Sequence, residues 1–273
     1  MSWTLITNDD GVAAPGLHAL ARAAVAAGHR VVVAAPAEQA SGAGTSIIGT
    51  QVDGHTPVTR HEVAGLADVP VYGMAAQPAF IAFAAVNGWF PEPPSLVLSG
   101  INEGANLGRA VMHSGTVGAA LTAGRFGIRA LAVSLAWEPN LNTDVPRWDA
   151  ATTLLPEVLG LLAETAEGTV LSLNVPNVEP DGLAPLVPAT LSRRGLLHAR
   201  VDLVDGAGEP GGADGDGRNS AVRVRLVETG GELEPDSDAA LLATGHPTLT
   251  ALRSVAEAAS VPLADLLATR ALR

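Results

Sequence analysis

The chain has 273 residues, 16 of them basic and 28 acidic, which gives a formal net charge of −12 at pH 7. Every basic residue is Arg, and the sequence contains no Lys. An acidic surface of this kind repels a phosphate backbone, so a nucleic-acid duplex is not expected as a partner. The absence of Cys excludes disulfides, zinc–thiolate sites and thiol nucleophiles.

The N-terminal sequence MSWTLITNDDG has neither a basic start nor a long apolar run, so no secretory signal peptide is expected. No stretch contains 18 uninterrupted apolar residues, so no membrane span is expected. Apolar residues make up 47% of the chain, which is enough for a substantial core. These features predict a cytoplasmic protein without a membrane partner.

Short apolar strands alternate with Ala-rich helical segments through the first two thirds of the chain. The predicted strands lie at 3–7, 29–35, 95–99, 130–135 and 169–175. The predicted helices lie at 17–27, 77–86, 116–125 and 148–166. Strand–helix–strand units form parallel sheets. The pattern therefore predicts an α/β fold with an open, doubly wound, mostly parallel sheet.

The composition changes after about residue 180, where Pro, Gly and Asp accumulate. Residues 201–228 predict two strands around a flexible Gly- and Asp-rich tip at 206–217. Such an arm either packs on its own sheet or reaches a partner subunit. Residues 255–272 predict a helix. We divide the chain into a core at 1–180, a β arm at 181–235, and a C-terminal strand and helix at 236–273.

Four loops at the carboxyl ends of predicted strands, or leading into a helix, carry glycines and short oxygen-bearing side chains. They read TNDDG at 7–11, SGAGTS at 41–46, SGINEGANLG at 99–108 and HSGT at 113–116. Ligands of open α/β sheets bind at this edge. The adjacent carboxylates Asp9 and Asp10 repel each other unless a cation lies beside them. Mg²⁺ and Mn²⁺ prefer oxygen ligands, which these loops supply, although one aspartate could instead cap the following helix.

The turn formed by Ser114, Gly115 and Thr116 precedes a helix with no charge in its first two turns. Free N–H groups and a partial positive charge make a helix N-terminus suitable for phosphate. An ordinary Ser or Thr cap is the alternative. His113, directly beside this turn, would either hydrogen-bond a ligand or pack under the loop.

The four blocks, with the last extended to HSGTVGAA at 113–120, and LNVP at 173–176 resemble the SurE family. Its members are metal-dependent 5′/3′-nucleotidases, also described as survival-protein phosphatases. The resemblance in order and spacing covers roughly the first 140 residues. It implies a Rossmann-like core, and a C-terminal β arm that makes homodimer or homotetramer contacts.

The resemblance also implies a set of site residues. One divalent cation per subunit, Mg²⁺ or Mn²⁺, would be held by Asp9, Asp10, Ser41 and Asn102. The phosphate would be bound by Asn106, Ser114, Gly115 and Thr116. The substrate would be a small phosphomonoester, a nucleoside monophosphate, that is hydrolysed to nucleoside and phosphate. Asp9, Asp10 and Asn106 would be the catalytic residues, with Asp9 preferred as general base.

Three segments depart from the family's pattern. The family's Ala-Pro-Asp-Arg reads APAE at 35–38, and its Gly-Thr-Pro-x-Asp reads AQPAF at 76–80. Its His-bearing C-terminal segment is replaced by residues 253–259. These departures motivate an alternative function, a SurE-like protein that binds metal and a phosphate ligand without nucleotidase turnover.

Two other α/β classes fit the sequence poorly. A phosphoacceptor receiver domain requires a Lys, which this chain lacks. A dinucleotide-binding dehydrogenase requires G-x-G-x-x-G after its first strand, where this chain has NDDGVAAPG at 8–16.

Overall fold

The computed structural model describes residues 2–137, 145–193, 197–205, 220–228, 232–255, 261–263 and 267. The strands are β1 (Thr4–Thr7), β2 (Val31–Pro36), β3 (Val58–His61), β4 (Val71–Met74), β5 (Leu96–Glu103), β6 (Arg129–Ala136), β7 (Val170–Pro176), β8 (Val187–Pro188), β9 (Leu197–Asp205), β10 (Ser220–Glu228) and β11 (Thr248–Leu252). The α-helices are α1 (Pro15–Ala26), α2 (Pro78–Ala84), α3 (Gly115–Arg125), α4 (Trp148–Ala163) and α5 (Asp238–Ala243). Shorter helical turns lie at Ala85–Trp89, Gly108–His113 and Pro180–Gly182.

Nine strands form one mixed sheet in the order β3-β4-β2-β1-β5-β6-β7-β11-β8. The six strands from β4 to β7 in this order are parallel, whereas β3 and β11 run antiparallel to β4 and β7. The order of strands along the chain reverses between β1 and β5, which makes this position the topological switch point of the sheet. The predicted α/β fold with a mostly parallel sheet is confirmed.

Helices cover both faces of the parallel region, which explains why its strands are apolar on both sides. One face packs against α1 and α4, and the other against α2 and α3. Strand β1 shows the alternation, because Ile6 joins the first cluster and Leu5 joins the second. In α1, Leu17, Leu20 and Ala24 are fully buried in the first cluster at helical spacing.

All five predicted strands and all four predicted helices are present, with ends shifted by a few residues. The largest shift is in β5, which continues past Ser99 to Glu103 through an irregularity in its pairing with β6. Helix α4 ends at Ala163 rather than at residue 166. The sequence reading missed β3, β4 and β8, which have only four, four and two residues.

Strands β9 and β10 pair antiparallel and form a separate two-stranded sheet, as predicted for the arm. The tip at 206–217 lies outside the described residues, as does most of the helix predicted at 255–272. Strand β11 joins the main sheet beside β7. The division of the chain at residues 180 and 235 stays a prediction. Among the described helices, none has the length and apolar character that crossing a bilayer requires.

Candidate active site

The two aspartates that follow β1 lie at the topological switch point. Asp9 is buried, with 5% of its surface exposed, and Asp10 is partly buried. The turn that carries them is closed by Asn8, whose side chain donates to the Gly11 carbonyl at 3.1 Å and accepts from the Gly11 N–H at 3.2 Å. Gly11 has a φ of +101°, a conformation that favours glycine. The turn therefore holds both carboxylates in a fixed place.

The Asp9 carboxylate lies against the first turn of α3. The Thr116 hydroxyl donates a hydrogen bond to Asp9 Oδ1 and lies 3.1 Å from Asn102 Oδ1. A Cβ atom on Gly115 would be 2.8 Å from Asp9 Oδ2, so only glycine allows this approach. Ser114 caps α3 by accepting from the Val117 N–H at 3.1 Å. The helix N-terminus predicted to receive phosphate thus already contacts a carboxylate.

Asp10 connects the β1 turn to the end of β5. Its Oδ2 atom accepts from the Glu103 N–H at 3.2 Å. The neighbouring Asn102 donates from Nδ2 to the carbonyls of Gly104, at 2.7 Å, and Glu103, at 3.1 Å. The amide oxygen of Asn102 is thereby left on the side of Thr116 and Asp9. The structure brings together three of the four predicted metal ligands, Asp9, Asp10 and Asn102.

Burial of the acid pair makes its negative charge unfavourable. Burial raises the pKa of Asp9, and hydrogen bonding from Thr116 opposes this rise. Burial, followed by the negative charge of Asp9 and that of Glu103, raises the pKa of Asp10 to about 7. In the part of the chain that the structure describes, neither carboxylate forms a salt bridge with a cationic side chain. A bound divalent cation would supply the missing positive charge.

The type of donor atoms decides which cation fits. The described residues contain no cluster of three or more His, Cys, Asp and Glu side chains arranged to hold a metal. A cation here would be bound by two carboxylates with amide and hydroxyl oxygens. Hard ions such as Mg²⁺ and Mn²⁺ prefer such an all-oxygen set, whereas the usual protein zinc sites include His nitrogen or Cys sulfur.

The loop that follows β2 lies over the start of α3. The Ala40 N–H donates to the Asp9 carbonyl at 2.7 Å, and the Gly44 N–H donates to the His113 carbonyl at 3.1 Å. Ser41 follows Ala40, is exposed, and its hydroxyl accepts from the Gln39 side chain at 3.1 Å. Its role as a metal ligand stays a prediction. His113 is also exposed, so it does not pack under the loop.

Asn106 lies in the loop between β5 and α3, and three hydrogen bonds fix it. Its Nδ2 atom donates to Ser134 Oγ at 2.8 Å. Its backbone N–H donates to Asn174 Oδ1 at 2.8 Å, and its carbonyl accepts from Asn174 Nδ2 at 3.0 Å. Ser134 pairs in register with Asn102, so Asn106 lies next to the acid-pair region. Sequence reasoning missed Ser134 and Asn174, although each is a polar residue within an apolar strand.

A cavity of about 370 Å³ opens beside the β2 loop. Its lining comes from residues 36–40, 48, 50 and 74–77. It is next to the acid-pair turn, because the Val12 N–H donates to the Pro36 carbonyl at 2.8 Å and the Ala40 N–H donates to the Asp9 carbonyl at 2.7 Å. Gln77, in a segment that departs from the family's pattern, lines this cavity, and its side-chain oxygen is buried without a hydrogen-bond partner in the described structure.

A doubly wound, mostly parallel sheet defines a class of protein, the α/β proteins whose ligand site lies at the topological switch point, where this chain places Asp9 and Asp10. The family model for survival protein SurE matches residues 4–196. The chain belongs to the SurE family, which confirms the resemblance seen in the sequence.

Relatives named 5′-nucleotidase SurE match over most of the chain. The 5′-nucleotidase SurE of Synechococcus elongatus is 36% identical over 211 residues, which are 76% of this chain and 76% of that protein. The 5′-nucleotidase SurE of Moorella thermoacetica is 34% identical over 251 residues, 91% of this chain and 88% of that protein. The crystal structure of the SurE protein from Aquifex aeolicus superposes with a TM-score of 0.75 at 25% identity, covering 97% of this chain and 99% of that chain.

Proposed function

We propose that this chain is a divalent-metal-dependent phosphomonoesterase that hydrolyses nucleoside 5′- and 3′-monophosphates to nucleoside and phosphate. The observation that carries the proposal is the buried acid pair, Asp9 and Asp10, without a cationic partner in the described structure at the switch point of the sheet. The relatives named 5′-nucleotidase SurE support the 5′ activity. No observation favours the alternative of a binder without turnover.

Asp9, Asp10, Asn102 and Ser41 would hold one Mg²⁺ or Mn²⁺ ion per subunit. Such an ion supplies positive charge to the phosphoryl oxygens and activates water. Asp9 is oriented by the Thr116 hydroxyl and is proposed as general base for the attacking water. Asp10 binds in its charged form, and its pKa of about 7 in the metal-free protein means that a cation competes with a proton for this carboxylate below neutral pH.

The phosphate would be bound by Asn106 and by the turn at Ser114, Gly115 and Thr116. Asn106 Nδ2 carries two hydrogens, and one remains for a phosphoryl oxygen after the other is donated to Ser134. The Ser114 hydroxyl caps α3 and the Thr116 hydroxyl donates to Asp9. The backbone N–H groups of Gly115 and Thr116 hydrogen-bond Asp9, so this turn would bind the phosphate beside Asp9 through donors that it shares with that carboxylate. Donors fixed in advance stabilise the charge that develops in the transition state.

The cavity beside the β2 loop is the proposed place of the nucleoside. It opens next to the acid-pair turn, and its volume is within the range of small-molecule sites. Gln77 lines this cavity and would offer its side-chain NH₂ group to the nucleoside, since its side-chain oxygen is buried.

A homodimer or homotetramer and a cytoplasmic location complete the proposal. The ribbon of β9 and β10 forms its own two-stranded sheet. A two-stranded ribbon is at best marginally stable alone in water, so a partner subunit is expected to cover it.

The test is phosphate release from 5′- and 3′-nucleoside monophosphates and p-nitrophenyl phosphate, first after chelation and then with Mg²⁺ or Mn²⁺ restored. The wild type is compared with Asp10→Asn and with Asp149→Asn, which neutralises an exposed carboxylate on α4. We expect metal-dependent release by the wild type and the control, and none by Asp10→Asn. A wild type that binds Mn²⁺ but releases no phosphate from any ester would establish the binder instead.

A further inference from the structure

A row of polar residues crosses the carboxyl end of the sheet. Asn102, Ser134, Asn174 and Thr248 pair in register on the adjacent strands β5, β6, β7 and β11. Ser134 and Thr248 are fully buried, and Asn174 is 1% exposed. Burying such groups is unfavourable unless they form hydrogen bonds. Two members of the row form theirs with the same residue, Asn106.

Asn174 binds the backbone of Asn106 as a neighbouring strand would. Its amide accepts from the Asn106 N–H at 2.8 Å and donates to the Asn106 carbonyl at 3.0 Å. This pair of bonds fixes the position of Asn106 within a loop that otherwise has no regular structure between β5 and the turn at Gly108–His113.

Ser134 acts on the side chain of the same residue. Its hydroxyl oxygen accepts from Asn106 Nδ2 at 2.8 Å, which fixes the rotation of the Asn106 amide. The amide retains one N–H and its oxygen for a ligand. Asn106 is partly exposed, whereas Ser134 is fully buried, so a ligand reaches the former and not the latter.

We propose that Ser134 and Asn174 are positioning residues that hold the Asn106 amide in the orientation that receives the phosphoryl group. This inference rests on the proposed function, because the phosphate role of Asn106 is part of it. A donor held in place before the ligand arrives requires no reorganisation, and loss of this support weakens binding of the phosphoryl group and of the transition state.

Ser134→Ala tests the inference, and Ser172→Ala is the matched control. Ser172 is 1% exposed on the neighbouring strand β7, and its hydroxyl has no hydrogen-bond partner in the described structure. We expect Ser134→Ala to raise the inhibition constant of orthophosphate and lower kcat/KM by about 10-fold, the effect of one lost hydrogen bond. Mn²⁺ affinity by titration calorimetry is expected to match that of Ser172→Ala. Asn174→Ala, measured in the same way, is expected to have the larger effect.

A double-mutant cycle separates positioning from a general structural role. If Ser134 acts through Asn106, then Ser134→Ala adds nothing to the loss caused by Asn106→Ala. Two results in an active enzyme would overturn the inference and leave the proposed function standing. One is that the losses of kcat/KM caused by Ser134→Ala and Asn106→Ala are additive, and the other is that Ser134→Ala and Ser172→Ala have equal kcat/KM. If the wild type hydrolyses no ester, the proposed function fails, and the dissociation constant of orthophosphate, measured by calorimetry with Mn²⁺ present, still tests the inference. A wild type that neither hydrolyses an ester nor binds orthophosphate overturns both.

Discussion

The charge of Asp10 is expected to destabilise the metal-free protein as the pH rises. Its pKa is about 7 in the folded chain, against an ordinary value of 3.8. Between these values the folded state holds a proton that the unfolded state has lost, so each pH unit lowers the free energy of unfolding by about 1.4 kcal/mol. The interval from pH 5 to pH 7 contains two such units, and above pH 7 the folded state has also lost its proton. The free energy of unfolding is therefore expected to fall by about 3 kcal/mol between pH 5 and pH 8.

Asp10→Asn removes this titration and keeps an oxygen that can accept from the Glu103 N–H. We expect urea unfolding of chelated protein to show this change. The free energy of unfolding of the variant minus that of the wild type is expected to rise by about 3 kcal/mol from pH 5 to pH 8. Asp149→Asn, which changes an exposed carboxylate on α4, is measured beside it as the control. Mn²⁺ at 100 times its Kd is expected to offset most of this gain at pH 8, because it stabilises the wild type by about 2.7 kcal/mol and the variant little. A flat difference between pH 5 and pH 8 would refute our explanation of the acid pair.

Three further substitutions test individual contacts. Thr116→Val removes the hydroxyl that donates to Asp9, so we expect Mn²⁺ affinity and kcat/KM to fall by about 10-fold in calorimetry and turnover assays, and Thr116→Ser to restore both. Gly115→Ala places a Cβ 2.8 Å from Asp9 Oδ2 and is expected to lower stability to urea by about 1–3 kcal/mol and reduce turnover. Gly160→Ala is the control, because a Cβ there meets only open space on α4, and it is expected to raise the free energy of unfolding by about 0.5–1 kcal/mol. Equal changes in stability for Gly115→Ala and Gly160→Ala would contradict the steric explanation. Asp238→Ala removes a carboxylate that accepts from the N–H groups of Gly108, Ser192 and Ala239, so we expect the free energy of unfolding in urea to fall by about 3–5 kcal/mol. Asp236→Ala, at an exposed position, is the control and is expected to change the free energy of unfolding little.

The sequence was sufficient to predict the central sheet because its strands are apolar runs separated by amphipathic helices. The same argument located the acid pair, since a parallel sheet brings the carboxyl ends of its strands to one edge. Strands β3 and β4 could not be predicted in this way, for a physical reason. All four residues of β3 are exposed or partly exposed, and β4 contains a glycine among only four residues, so neither has the apolar pattern of a core strand.

The bracing of Asn106 could not be predicted, because it depends on register between strands far apart in the sequence. Ser134 and Asn174 look like isolated polar residues until β6 and β7 are aligned with β5. The hydrogen bond of Thr116 could not be predicted for the same reason. The sequence places Thr116 at the N-terminus of a helix, but its hydroxyl donates to Asp9, 107 residues earlier in the chain. Residue types indicated the chemistry of the site, whereas long-range pairing determined which groups remain free for a ligand.

A segment far along the chain from the acid pair reaches back to the loop that carries Asn106. Asp238 accepts from the Gly108 N–H at 2.7 Å, and β11 flanks β7, the strand that contains Asn174. The ribosome makes a chain from its N-terminus, so the turn with Asp9 and Asp10 is synthesised more than 200 residues before Asp238 and β11. A nascent chain halted before Asp238 would therefore contain its acid pair while the loop that carries Asn106 still lacked this support.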